Sequence, residues 1–196
     1  MKKLVLKTVA ITLASVIGAL LLAFGCFALL SPGVLGKVFD GAGMYSASVF
    51  FYEKEYERTG DIDDLNRLVL TIDEDKDYAL AEKYYKEIIE HKDFSKLCEV
   101  QTINGKVTAK EYYYGNYALS VANNGKFSDA LQIGKEFVSD NYTAYNPLRV
   151  LIYDYVSAER QQEITEALGV LQSLTVTDGQ TYLSADINYL NGLING

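Results

Sequence analysis

His91 is the only histidine in the chain, so neither a catalytic triad with an imidazole base nor a metal site with two imidazoles can be assembled within one copy. It stands between Glu90 and Lys92 near an expected helix end, where the partial negative charge of the last carbonyls suits a solvated imidazole. The two cysteines make no metal or redox pair: Cys26 lies inside a long apolar run, and Cys98 belongs to a distant helical stripe, where a packed, free thiol is expected. Asp73, Asp75 and Asp77 have the spacing of the first three ligands of a calcium-binding loop. Tyr78, however, occupies the place of the glycine that bends such a loop, and Tyr84 that of the glutamate that gives two oxygens. The run reads better as an acidic turn ahead of a helix N-terminus. Asn141-Tyr142-Thr143 is a glycosylation sequon, meaningful for an exported chain in a host that glycosylates. No glycine-rich phosphate loop is present. These residues point to no catalytic centre, no metal and no cofactor, and the expectation is a protein that is not an enzyme.

The elements that carry these residues are helical. Ala81, Tyr84, Tyr85, Ile88 and Ile89 fall on one stripe at helical spacing. Thr108-Ala-Lys-Glu111 is a capping box that opens a further helix, and Phe127, Ala130, Leu131, Gly134, Phe137 and Val138 form the apolar stripe of the next. After a turn through Asn141 to Pro147, Leu148, Leu151, Ile152 and Tyr155 mark one helix, and Ile164, Ala167, Leu168, Leu171 and Leu174 another. Leu183, Ile187, Leu190 and Ile194 mark a last amphipathic helix. Strands find little support, and the expected fold class is all-α.

The same plan recurs along the chain. Tyr117, Val121, Gly125, Phe127 and Ala130 align with Tyr84, Ile88, Lys92, Phe94 and Leu97 at an offset of 33, and those with Tyr52, Tyr56, Gly60, Ile62 and Leu65 at an offset of 32. In each copy an apolar helical face ends at a tight turn and a second begins just after a large apolar residue, the pattern of a helix hairpin, and a fixed period of this size is the mark of a stacked array. The spacing resembles the tetratricopeptide repeat over roughly residues 44 to 142. It departs from that family in Lys92 at a turn glycine position and in the missing closing proline. The resemblance implies a short α-solenoid of antiparallel helix hairpins, with Ile62, Phe94 and Phe127 buried between them, residues 145–174 either a diverged fourth repeat or simply a helix pair, and the final helix a cap. Such arrays serve many unrelated roles, so it implies protein or peptide binding only as a class.

Ahead of the array, a short basic segment at residues 1–7 contains Lys2, Lys3 and Lys7, and then no charge appears until Lys37, an uncharged run of 29 residues. The stretch from Val9 to Leu30 would span roughly 33 Å as a helix, close to a hydrocarbon core of about 30 Å. Residues 8–31 are therefore expected to cross a membrane once. A cleaved secretory signal has the same basic start, but its apolar core is usually about 7 to 15 residues. Lysines before the span, with Lys37 followed by Asp40 after it, place the N-terminus in the cytoplasm and the rest outside. Ser31-Pro32-Gly33 ends the span, residues 32–43 read as a juxtamembrane link, and residues 44–196 as the helical-repeat domain. From Lys37 onward the formal charge is −11, from 15 basic and 26 acidic residues, which argues against nucleic acid as a partner.

The candidate binding surface follows from the repeat. Sixteen tyrosines with no tryptophan include the group Tyr112-Tyr113-Tyr114 with Tyr117, which cannot all face one way on a helix; those left half-exposed suit a binding groove, and bulk filling between helices is the other reading. Some tetratricopeptide domains clamp a peptide carboxylate with groups on successive first helices. Of the matching positions here, Lys54, Lys86 and Asn123 have suitable chemistry, too few to carry that activity over. With Phe50 and Tyr112 they form the candidate set. The expected function is a membrane-anchored interaction or scaffold module; an extracytoplasmic domain that senses a peptide or small molecule is the alternative.

Overall fold

The computed structural model describes residues 2–98, 108–138 and 140–195. Among these the chain is helical throughout, with one isolated bridge between Asn141 and Asp178 and no strand. Eleven helices follow in order: α1 (Lys2–Leu30), α2 (Pro32–Gly41), α3 (Tyr45–Thr59), α4 (Ile62–Asp75), α5 (Tyr78–Glu90), α6 (Phe94–Cys98), α7 (Ala109–Asn123), α8 (Phe127–Phe137), α9 (Pro147–Asp154), α10 (Gln161–Ser173) and α11 (Gln180–Asn195). The chain divides into two compact units, residues 1–75 and 76–196. Lys76 is the one non-glycine residue with positive φ, +59°, among the described residues.

In the first unit, α1 is long and apolar enough to cross a membrane, and the stretch Lys7–Leu30 has no buried share. The chain then breaks at Ser31. Ser31-Pro32-Gly33 ends the span as expected, directly after Leu30, and Pro32 also occupies the first turn of α2, where its missing N–H would have had no intrahelical acceptor. The segment read as a link is thus a helix packed on α3. Small residues let the two approach closely: Gly36 lies against the Tyr52 ring, where an added Cβ would fall 2.8 Å from the ring carbons. Ser48 Oγ donates to the Gly36 carbonyl at 2.9 Å, and Glu55 accepts from the Gly33 N–H at 3.1 Å. α3 ends at Gly60, whose φ of +61° admits the left-handed cap that glycine adopts without steric cost. α4 then buries Leu65, Leu68, Val69 and Ile72 completely, each contributing about 1.5–3 kcal/mol.

In the second unit, Asp77 caps α5 by accepting from the Leu80 N–H at 3.0 Å. Asp73 and Asp75, expected in the same acidic turn, lie instead in the last turn of α4, where Asp75 accepts from the Ser46 hydroxyl at 2.7 Å. The capping box of α7 is complete: Thr108 Oγ1 accepts from the Glu111 N–H at 3.2 Å, and Glu111 Oε2 accepts from the Thr108 N–H at 3.0 Å. Glu111 is buried, and its other carboxylate oxygen accepts from the Thr143 hydroxyl of the sequon. α7 is the hub, packing on α5, α8 and α9, while α10 rests on α11 and α8. The main core gathers Ala118, Val121, Phe127, Leu131, Leu148, Leu151, Ile164, Leu171 and Leu190. Phe127 is buried as expected and stacks on Tyr155 at 5.2 Å. Ile62 is buried in the first unit. Phe94 differs. It is half-buried at the start of the short α6 and lies edge-on to Tyr113 at 5.7 Å. Cys26 and Cys98 are both free, and burial pushes the Cys98 thiol up.

Candidate functional site

The most constrained polar cluster lies where α9, α11 and the loop before α9 meet. Two helix starts and one loop contact build it. Asn146 caps α9, its side chain accepting from the Leu148 N–H at 2.8 Å with Pro147 in the first turn. Ahead of it, Tyr142 is held by backbone: its N–H donates to the Asp178 carbonyl at 3.1 Å, and the Thr177 N–H donates to the Asp140 carbonyl at 2.9 Å. Gly179 makes this crossing possible. It has φ +81°, and a Cβ there would sit 2.0 Å from the Tyr142 carbonyl oxygen, so no other residue fits without moving the loop.

Against this frame, α11 places the fully buried Asp186. Its carboxylate accepts from the Tyr142 hydroxyl at 2.9 Å and from the Tyr153 hydroxyl at 2.7 Å. Arg149 Nε lies 2.8 Å from Oδ2, an ion-pair distance without the alignment of a hydrogen bond; attraction between the charges needs only the distance. Arg149 Nη1 donates to the Ala144 carbonyl at 3.0 Å. A buried carboxylate is tolerated because two phenol hydroxyls donate to it and the Arg149 guanidinium balances its charge.

What this support presents to solvent is aromatic. The Arg149 guanidinium lies over the Tyr153 ring at 5.3 Å and the Tyr182 ring at 5.0 Å, and Tyr153 lies 5.0 Å from Tyr189. All three rings are exposed, Tyr153 at 46%, Tyr182 at 43% and Tyr189 at 38%. A buried base pins an arginine, and the arginine organises exposed tyrosines. With Asp186 fully covered, this carboxylate has no face free for a substrate; its chemistry is positioning.

Burial, then the Asp186 charge and the hydrogen bond to it, pushes the Tyr142 phenol far above its ordinary value of 10.0. The folded state therefore keeps a proton that the unfolded chain releases, so this contribution is intact below about pH 10 and declines above it, by about 1.4 kcal/mol per pH unit. Alkaline melts should show that slope, and Tyr142→Phe should flatten it; an unchanged slope in the variant would place the alkaline loss elsewhere.

The residues singled out from the sequence are distributed differently. Phe50 (52% exposed) and Lys54 stand on α3 in the first unit, with Lys54 paired to Glu57 on its own helix. Lys86, Tyr112 and Asn123 belong to the second unit. Lys86 is exposed and lines a shallow recess of about 390 Å³ with Glu82, Lys83, Asn124 and Lys126. There Glu82 accepts from Lys126 and from Asn124 Nδ2, both at 2.7 Å, and the hydrogen bond from Lys126 holds its carboxyl below the usual range. Asn123 turns back to its own helix, donating to the Leu119 carbonyl at 2.9 Å. Tyr112 is half-buried, edge-on to Tyr113 at 5.3 Å, and does not line the recess. Of the tyrosine group, Tyr113 is buried and Tyr112, Tyr114 and Tyr117 are half-buried. The Asp186 cluster escaped the sequence reading, although Asp186 stands between Leu183 and Leu190 at helical spacing, an acid on an otherwise apolar stripe.

Comparison with known protein families, characterised proteins and solved structures finds no match to this chain.

Proposed function

We propose that the chain is a membrane-anchored interaction module and not an enzyme: α1 holds it in a bilayer, with the N-terminus cytoplasmic, and the helical region beyond it docks a protein or peptide. The observation that carries the reading is the surface of Tyr153, Tyr182 and Tyr189 around Arg149, fixed from below by Asp186. Tyrosine and arginine dominate the energetic centres of protein interfaces, and a rigidly held set loses little freedom on docking. The membrane part is supported by the length and apolar surface of α1, and the orientation by Lys2, Lys3 and Lys7 ahead of it. The helical region is read as a degenerate array of tetratricopeptide-like hairpins. In support, Gly60 and Gly125 occupy the same repeat position and both have positive φ, while Tyr52 and Tyr84 are buried at another.

A photoreactive phenylalanine in place of Tyr182, in the full-length chain in its native membrane, should give adducts of discrete mass, and the same group at the exposed Gln172 of α10 should not. Equal labelling at both positions, or none at 182, would count against the reading.

The recess beside Lys86 favours a second reading, a sensor of peptide or small-molecule carboxylates. Lys86→Ala should change stability by no more than about 0.5 kcal/mol, because its pairing with Glu90 at 4.0 Å lies on the exposed surface. On this second reading it should also weaken binding of a carboxylate-bearing peptide. Titration of such a peptide into both proteins separates the two: equal affinity would exclude the recess.

A further inference from the structure

Beyond α1, the first unit carries a second set of exposed apolar side chains: Val34 and Val38 on α2, Met44 just before α3, and Phe50 on α3, exposed by 45%, 61%, 53% and 52%. Their depth can be read from a chain of rings. Phe51 lies edge-on to Phe24 of α1 at 6.1 Å, is stacked on Phe39 of α2 at 5.4 Å, and touches Phe50 at 5.2 Å. Phe24 is six residues before the end of α1, a rise of about 9 Å, and helical side chains lean toward the helix N-terminus. Counting a hydrocarbon core of about 30 Å from Lys7 brings its far edge near Phe27. A ring packed on Phe24 is therefore at or inside that edge; Phe50 touches that ring, Val38 precedes Phe39 that stacks on it, and both keep more than half of their surface exposed.

We propose that α2 and the first turns of α3 form a second membrane contact, continuous with the lipid-facing surface of α1, in which Val38 and Phe50 insert among acyl chains at the interface and Val34 and Met44 flank them. The occupant is the same bilayer that α1 crosses. The exposed Lys37 and Asp40 on α2 keep the segment at headgroup level, with the Lys37 stem long enough to hold its ammonium among the headgroups. A water-facing role would leave these side chains exposed next to an apolar span, whereas lipid covers both at once. The inference rests on α1 being a membrane anchor.

The chain has no tryptophan, so an introduced one reports alone under selective excitation. Phe50→Trp, Val38→Trp and, as a reference inside α1, Leu21→Trp are placed in the full-length chain and reconstituted in phosphatidylcholine–phosphatidylglycerol vesicles, with or without bromine on the acyl chains near the carbonyl. Retained helicity in circular dichroism selects the folded variants. The expected result is blue-shifted emission at 50 and 38 that loses most of its intensity in brominated vesicles and resists aqueous iodide. Quenching by lipid at 21 alone, with 50 and 38 open to iodide, overturns the second contact and leaves the anchor standing. Loss of lipid quenching at all three positions overturns both.

Discussion

Asp186→Ala is expected to lower the stability of the second unit by about 3–5 kcal/mol, the range for removing one partner of a buried charge pair. The substitution strips Arg149 of its counter-charge and leaves the buried Tyr142 hydroxyl without an acceptor. Asp186→Asn retains shape and one acceptor oxygen and should cost less, about 1–3 kcal/mol. The two phenols should then differ in rank. Tyr142→Phe acts on a fully buried group and Tyr153→Phe on one 46% exposed, where water replaces the lost bond. Urea melts of the full-length chain in detergent micelles, followed by circular dichroism, measure all four. If Asp186→Ala melts within about 1 kcal/mol of the parent, the carboxylate is not the support of the tyrosine surface.

Phe127→Ala should cost about 3–5 kcal/mol as well, by a different route: no charge is exposed, but a cavity opens between α8 and its neighbours. Phe127 is 7% exposed, lies in the main core and stacks on Tyr155 at 5.2 Å with an interplanar angle of 14°. Phe127→Leu refills most of the volume and should recover over half of the loss. Phe94→Ala provides the contrast, because a half-buried ring beside Tyr113 surrenders less area. Equal losses at 94 and 127 would mean that the two positions, aligned in the sequence, are equivalently packed after all.

The sequence made the helices legible wherever local rules decide them. The stripe of Ala81, Tyr84, Tyr85 and Ile88 is buried as spaced, the capping box at Thr108 and Glu111 closes in both directions, and Gly60 and Gly125 turn the chain with positive φ. The misreadings came from residues whose meaning depends on context. Proline breaks a helix interior but suits a helix start, so Ser31-Pro32-Gly33 ends one helix and begins another. Phe94 aligns with Phe127 in the sequence, yet it starts a helix of five residues and is only half-buried. The candidate set scattered because spacing along one helix says nothing about which side chains turn back, as Asn123 does toward Leu119. Asp186 was hidden for the opposite reason: its partners at 142, 149 and 153 are distant in sequence, and only its place on an apolar stripe hinted that it had any.

That distance also bears on the order in which the second unit forms. The bond between Tyr142 and Asp186 closes a loop of 44 residues, while the capping box of α7 joins residues three apart. Loop closure costs entropy that grows with length, so contacts within α7 and between α7 and α8 can assemble before the last helix returns to meet the loop at Tyr142. The carboxylate is then expected to act as a latch set after the rate-limiting barrier, which stopped-flow refolding and unfolding of Asp186→Ala would test. Its removal should leave the refolding rate nearly unchanged and appear almost wholly in faster unfolding, so the tyrosine surface owes its lifetime, more than its formation, to one buried charge.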